Sequence, residues 1–126
     1  MRIEVERWWK QAEADLKSAK NCINSGDYYL AVFSFQQSAE KALKVLCLIK
    51  LKEIPKGHSI IYLAQLVKAP QELLSGIRDL NPEYLVTRYP DMAEGVPAEL
   101  YDKEIAIKHQ KTAERVLQWV QKQIQK

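Results

Sequence analysis

Between Tyr28 and Leu46 the chain reads YYLAVFSFQQSAEKALKVL, and this stretch leaves little room for anything but a long helix. Tyr28, Val32, Phe35, Ala39, Ala42, Leu46 and Ile49 recur every three or four residues, which sets them on one stripe at about 100° per residue. The opposite side carries Gln37, Lys41 and Lys44 at i, i+4 and i+7, with Glu40 beside them. A surface helix needs only generic charge there. Two glutamines leading into Glu-Lys and then Lys is a narrower choice, and it marks this face as a candidate site.

A second stripe precedes it. Val5, Trp8 with Trp9, Ala12, Leu16, Ala19 and Ile23 keep the helical period and predict a helix from about Ile3 to Asn24. Gly26 falls just past its end, where a left-handed backbone costs glycine least. Asp27 is placed to cap the next helix, which continues to roughly Lys50. So short a connection predicts an antiparallel hairpin of the two helices.

After Pro55 and Gly57, Ser59 reads as the N-cap of a short helix through Val67, with Ile60, Leu63 and Leu66 or Val67 inward. Pro70 opens another short helix whose end Gly76 should weaken, and Asn81-Pro82 opens a turn or two over Glu83 to Thr87. From Tyr89 to Glu99 the pattern stops, and Pro90, Gly95 and Pro97 predict one long loop. A last helix should run from about Asp102 to Gln125, with Ala106, Ala113, Val116, Leu117, Val120 and Ile124 inward. Thr112, Glu114, Arg115, Trp119 and Lys122 fall outside that stripe, on a face expected to be solvated. There Trp119, beside Trp8 or Trp9, marks either a dimer surface or packing within the subunit. With no strand alternation and no internal repeat, the fold class is all-α. It is an antiparallel bundle of three long helices, with short ones between the second and the last, in a single domain over residues 1–126.

The 126 residues suffice for a core without cross-links. A net charge of +3 favours a phosphate-bearing partner only slightly. Cys22 and Cys47 form no paired framework and no C-x-x-C, which fits a reducing compartment. No apolar run reaches bilayer length, and MRIEVERWWK lacks an uninterrupted apolar core, so no membrane association and a cytoplasmic location are expected.

Three pieces in order, FSFQQSAEKALKVL, GHSIIYLAQL and YLVTRYPD, behind a leading WWKQAEADLKSA, resemble the HEPN family of small helical bundles over nearly the whole chain. The resemblance implies a bundle of four or five helices, often a homodimer. It also implies a minimal nucleotidyltransferase as partner in a toxin–antitoxin or substrate-binding pair, with nucleotide or RNA interaction as the recurring theme. Many HEPN proteins are metal-independent ribonucleases with an Arg followed, after four to six residues, by a His near the start of the last helix. Here no arginine is followed by histidine at that spacing; Lys103 and His109 are the nearest imitation, and lysine lacks the planar fork that grips phosphate. The resemblance is therefore to the branch without the nuclease motif, and no catalytic residue is assigned.

The candidate nucleotide-binding residues are Gln37, Lys41, Lys44, His58, Arg88, Tyr89 and Asp91. Lys41 and Lys44 can hold phosphate oxygens, with Gln37 donating beside them; the competing reading is an ordinary Glu40–Lys44 i, i+4 pair on a solvated face. His58, before the third helix, either approaches an anion at the helix start or merely closes the turn after Pro55-Lys56-Gly57; the family often places a His at this point. Within TRYPD, Arg88 can grip phosphate, Tyr89 can stack on a base and Asp91 can read a ribose or base edge. The same residues can instead pair, pack and stiffen the chain. The following MAEGVPAELY would then serve as a lid. His109 lies on the apolar stripe and reads as a buried, hydrogen-bonded histidine. No cofactor is expected, and two distant histidines give no metal-ligand spacing. Three functions stand: a non-catalytic nucleotide- or RNA-binding subunit, a ribonuclease using His109 or His58 in an unusual arrangement, or a pure interaction module.

Overall fold

The computed structural model describes residues 2–126. Its helices run α1 (Ile3–Ser25), α2 (Tyr28–Leu51), α3 (Ile60–Leu66), α4 (Gln71–Leu80), α5 (Glu83–Val86), α6 (Pro90–Ala93), α7 (Pro97–Leu100) and α8 (Lys103–Ile124). Gly26 ends α1 at φ 83°, and its N–H reaches back to the Cys22 and Ile23 carbonyls. The Asp27 N–H bonds to the Cys22 carbonyl as well, so the last turn is closed and the chain reverses directly into α2.

Asp27 does not cap α2. Its carboxylate accepts from the Ser25 hydroxyl at 2.8 Å, inside the turn, rather than from the helix. Ser59 does cap α3, accepting from the Tyr62 N–H at 3.1 Å, and Asp102 caps α8 through the Ile105 N–H at 2.8 Å.

The centre of the molecule is α2. It packs against α1 and α8 along its length and against α3, α5 and α7 at intervals. Residues 42–48 of α2 are buried without interruption. The single solvated face expected from its sequence is therefore absent. Small residues permit this, since Ala31, Ser38, Ala39 and Ala42 are fully buried and let neighbouring backbones come close. Ser38 even donates to the Ala12 carbonyl of α1 at 2.7 Å. Phe35, Leu43 and Leu46 fill the rest, together with Ile60, Leu63, Ile77, Leu80, Val116 and Val120.

Gly76 lies inside α4 rather than at a weakened end. A Cβ built there would stand 2.5 Å from the Thr112 hydroxyl, so the glycine is what lets α4 lie against α8. Thr112 and Trp119 are accordingly half-buried, where sequence placed them on a solvated face. The stretch expected to be one loop from Tyr89 to Glu99 holds α6 and α7 instead. Each proline's fixed φ opens one turn of helix, at Pro90 and at Pro97. Both cysteines are free. No helix among the described residues is long and apolar enough to cross a membrane.

Candidate functional site

The face of α2 singled out by its sequence is a buried charge network. Glu40 and Lys44 have side chains only 5% and 8% exposed, and their ion pair measures 3.1 Å. Lys44 donates a further bond to the Gly57 carbonyl at 2.9 Å, and its ammonium lies 5.9 Å from the centre of the Trp8 ring. Lys41 pairs with Asp15 of α1 at 2.6 Å. Gln37 accepts from Lys41 and donates to the Gln36 side-chain oxygen at 2.9 Å and to Glu40 at 3.3 Å. Gln36, fully buried, donates to the His58 carbonyl at 3.1 Å.

Two sequence expectations are corrected here. The Glu40–Lys44 pair exists but is buried, not solvated, and neither lysine is an unmatched charge facing a phosphate. The physical reason is that α1 and the turn before α3 cover this side of α2, so each cation had to find an acid.

The network ends at His58. Its Nδ1 lies 3.1 and 3.2 Å from the two Glu40 oxygens. A carboxylate can only accept, so Nδ1 is the donor and Nε2 is left as the free nitrogen. The His58 ring stacks on Tyr84 of α5, with centroids 3.8 Å apart and planes at 15°. Arg88 sits over the same Tyr84 ring at 4.2 Å, over Tyr89 at 4.8 Å and over Phe33 of α2 at 5.1 Å. Its Nε donates to the Tyr84 carbonyl at 2.7 Å, which fixes the guanidinium and leaves its outer nitrogens unclaimed. Arg88 has no carboxylate within ion-pair reach among the described residues. A cavity of about 320 Å³ opens beside this stack, lined by His58, Ser59, Asn81, Pro82, Tyr84 and Leu85.

The structure therefore joins Gln37, Lys41, Lys44 and His58 in one network and sets Arg88 and Tyr89 at its edge. Asp91 stays outside: it is exposed on α6 and makes no hydrogen bond or ion pair with a described residue. Sequence reasoning missed Tyr84, Phe33 and the organising role of Glu40. Tyr84 could have been found as the residue one helical turn before Arg88.

A larger depression of about 890 Å³ lies along α8, but all its lining residues come from Asp102 to Lys111. Size is a poor guide here, because no second element brings a group toward it. His109 is buried, as its stripe position indicated, yet its Nδ1 has no hydrogen-bond partner. Burial, aided by Lys108 and opposed by Asp79, lowers its pKa from 6.5 to about 4. No group of three or more metal-ligating side chains assembles among the described residues.

The segment after Asp91 is tied down rather than free. Tyr101 donates to the buried Glu83 carboxylate at 2.5 Å, and the Thr87 hydroxyl donates to the Glu83 carbonyl. Burial raises the Glu83 carboxyl above its usual range, against the effect of the Tyr101 bond. The Tyr101 hydroxyl is raised too, by burial and then by the acid it bonds.

Comparison with known proteins gives a consistent result. The HEPN domain family matches residues 5–123. A Methanocaldococcus jannaschii protein named Putative toxin MJ1304 is 30% identical over 122 residues, covering 86% of this chain and 80% of its own. Among solved structures, ST0689, described as an archaeal HEPN homologue, is 42% identical with a TM-score of 0.83, covering 95% of this chain and 97% of that one. TT1696 from Thermus thermophilus is 33% identical with a TM-score of 0.89, over 96% of this chain and 98% of that one.

Proposed function

The chain belongs to the HEPN family, and from that premise we propose that it is a non-catalytic subunit of a toxin–antitoxin-type pair that binds a nucleotide or nucleic-acid end. Its partner would be a nucleotidyltransferase, in the cytoplasm, with this chain as a homodimer. The similarity to a protein named a toxin supports the pairing. Exposed Leu85, Met92, Val96 and Leu100, close together in the chain beside Arg88, supply an apolar surface for protein contact.

One observation carries the binding role. Arg88 is a fixed, unmatched guanidinium held between aromatic rings, next to an exposed histidine and an open cavity. The stacking holds the guanidinium plane and leaves its edge free to meet a phosphate in two parallel hydrogen bonds. Lys41 and Lys44 take the role of scaffold. Their charges are spent on Asp15 and Glu40, and they set the position of His58 through Glu40.

Calorimetric titration with the four ribonucleoside triphosphates at low salt tests this. Arg88→Ala is expected to weaken binding at least tenfold, the loss of roughly 1.5–3 kcal/mol typical of a hydrogen bond to a charged group. Arg88 is exposed, so the melting temperature should stay within about a degree or two. Equal heats from both proteins would remove Arg88 from the site.

A second reading rests on Glu40. In a neutral His58 whose Nδ1 donates to this carboxylate, the lone pair lies on Nε2, the tautomer in which histidine can accept a proton as a general base. Were the protein a ribonuclease, purified wild-type protein should cleave single-stranded RNA and His58→Ala should not. RNA left intact by the wild type ends this reading without touching the first.

A further inference from the structure

Three helix termini meet at the end of the bundle away from the Gly26 turn. α1 begins there and α2 finishes there, and Ile124 near the end of α8 packs against the small apolar cluster of Val5, Val45 and Leu48. Between them lies a cavity of about 390 Å³, lined by Arg2, Val5, Ile49, Lys52 and Ile124. Val5 is buried and lies deepest, while Ile49 and Ile124 are half-buried and form the walls.

The walls of this cavity are hydrocarbon and its rim is cationic. Arg2 and Lys52 are exposed, and neither has a carboxylate within ion-pair reach among the described residues. No acid lines the cavity. One Arg2 nitrogen donates a long bond, 3.4 Å, to the Leu48 carbonyl near the end of α2, which tethers the guanidinium and leaves its other N–H groups unclaimed. Lys52 follows α2 with a left-handed backbone, φ 64°, where glycine or asparagine is the usual residue. Ile3 and Leu51, next to these cations in the chain, are 61% and 42% exposed, so apolar surface continues beyond the mouth.

This chemistry differs from that of the stack at His58 and Arg88. No aromatic ring lines the cavity, so a base finds nothing to stack on. The two cations are its only side-chain donors and it has no side-chain acceptor, so a peptide backbone placed inside would go unpaired. A methylene chain needs no such partner, and a carboxylate at its end can meet both cations.

From this arrangement we propose that the cavity binds an aliphatic carboxylate, with its chain against Val5, Ile49 and Ile124 and its head between Arg2 and Lys52. The site is separate from the one at Arg88 and does not depend on it.

Titration of the full chain with hexanoate, octanoate and 1-octanol tests this on wild type, Arg2→Ala and Lys52→Ala. Trp8 and Trp9 pack against the same apolar cluster, so their fluorescence reports occupancy. Each buried methylene tightens binding about fourfold, and octanoate should therefore bind roughly fifteenfold more tightly than hexanoate. The exposed cations should favour octanoate over octanol by on the order of fivefold. Either variant should lose most of that preference, bind octanol as wild type does and melt within about a degree or two of it. Alanine at position 52 carries the same backbone cost as lysine, so that variant isolates the charge. No saturable signal with octanoate, octanoate bound no more tightly than hexanoate or octanol, or a preference that survives both variants would overturn the proposal. None of these outcomes bears on binding at Arg88.

Discussion

Replacing Lys44 by methionine should lower the stability of this protein by about 3 kcal/mol, enough to move the melting temperature by on the order of 10 °C. The basis is the position of its ammonium, whose only ionic partner among the described residues is Glu40, itself 4% exposed as a residue. Methionine keeps most of the stem's packing and removes the charge. Glu40 then remains in the interior with His58, Gln36 and Gln37 as its donors and no cation fixed against it. Removing one partner of a buried pair costs about 3–5 kcal/mol in general, and the remaining donors put this case at the low end. Replacing both, as Lys44→Met with Glu40→Gln, should recover much of the loss, because no uncompensated charge is left inside. Urea denaturation of the four proteins of this cycle measures it. A single Lys44→Met variant within about 1 kcal/mol of wild type would mean that the pair is not what holds the acid.

Acidification should destabilise the protein through His109. Its folded pKa near 4 lies below the 6.5 of an exposed histidine, so between those values the unfolded chain binds a proton that the native state refuses. The contribution is intact above pH 6.5 and lost as pH falls through that window toward 4. The full difference corresponds to roughly 3 kcal/mol. Carboxylates titrate in the same range, so the informative quantity is the contrast with His109→Leu, measured as urea stability at about pH 7 and about pH 4.5. The variant removes a buried nitrogen that has no partner, and it should be at least as stable as wild type at neutral pH. Its decline on acidification should be smaller by about 2–3 kcal/mol. Parallel declines would show that His109 takes up its proton without unfolding.

What the sequence made legible followed from local rules. Gly26 announced the hairpin because few other residues take a left-handed turn so cheaply, and Ser59 announced α3 because its hydroxyl has one obvious backbone partner. The side of α2 was harder. Glu40 and Lys44 look solvated to any rule that equates charge with surface, yet they are satisfied by each other and by the turn at Gly57. Such a pairing with the turn needs the tertiary fold to be known. The place of His58 before a helix is legible in sequence, but its partner eighteen positions earlier is not. Tyr84 carries little signal in sequence for the same reason: its ring matters only once His58 and Arg88 are brought onto it. The stretch from Tyr89 to Glu99 reads as loop in sequence because prolines break longer patterns, though Pro90 and Pro97 each also start a single turn.

Helices of one turn, as α5, α6 and α7 are, do not persist alone in water. Their order is borrowed from the bond between Tyr101 and Glu83 and from the few residues of this segment that reach the core. Residues 83–101 should thus open as a cooperative unit at a free energy well below that of the α1–α2–α8 frame, and exchange their amide hydrogens correspondingly sooner. Because Tyr84 and Arg88 belong to that unit, whatever occupies the stack will slow exchange far beyond the residues it touches. Affinity at this surface is then partly the free energy of keeping a small subdomain shut.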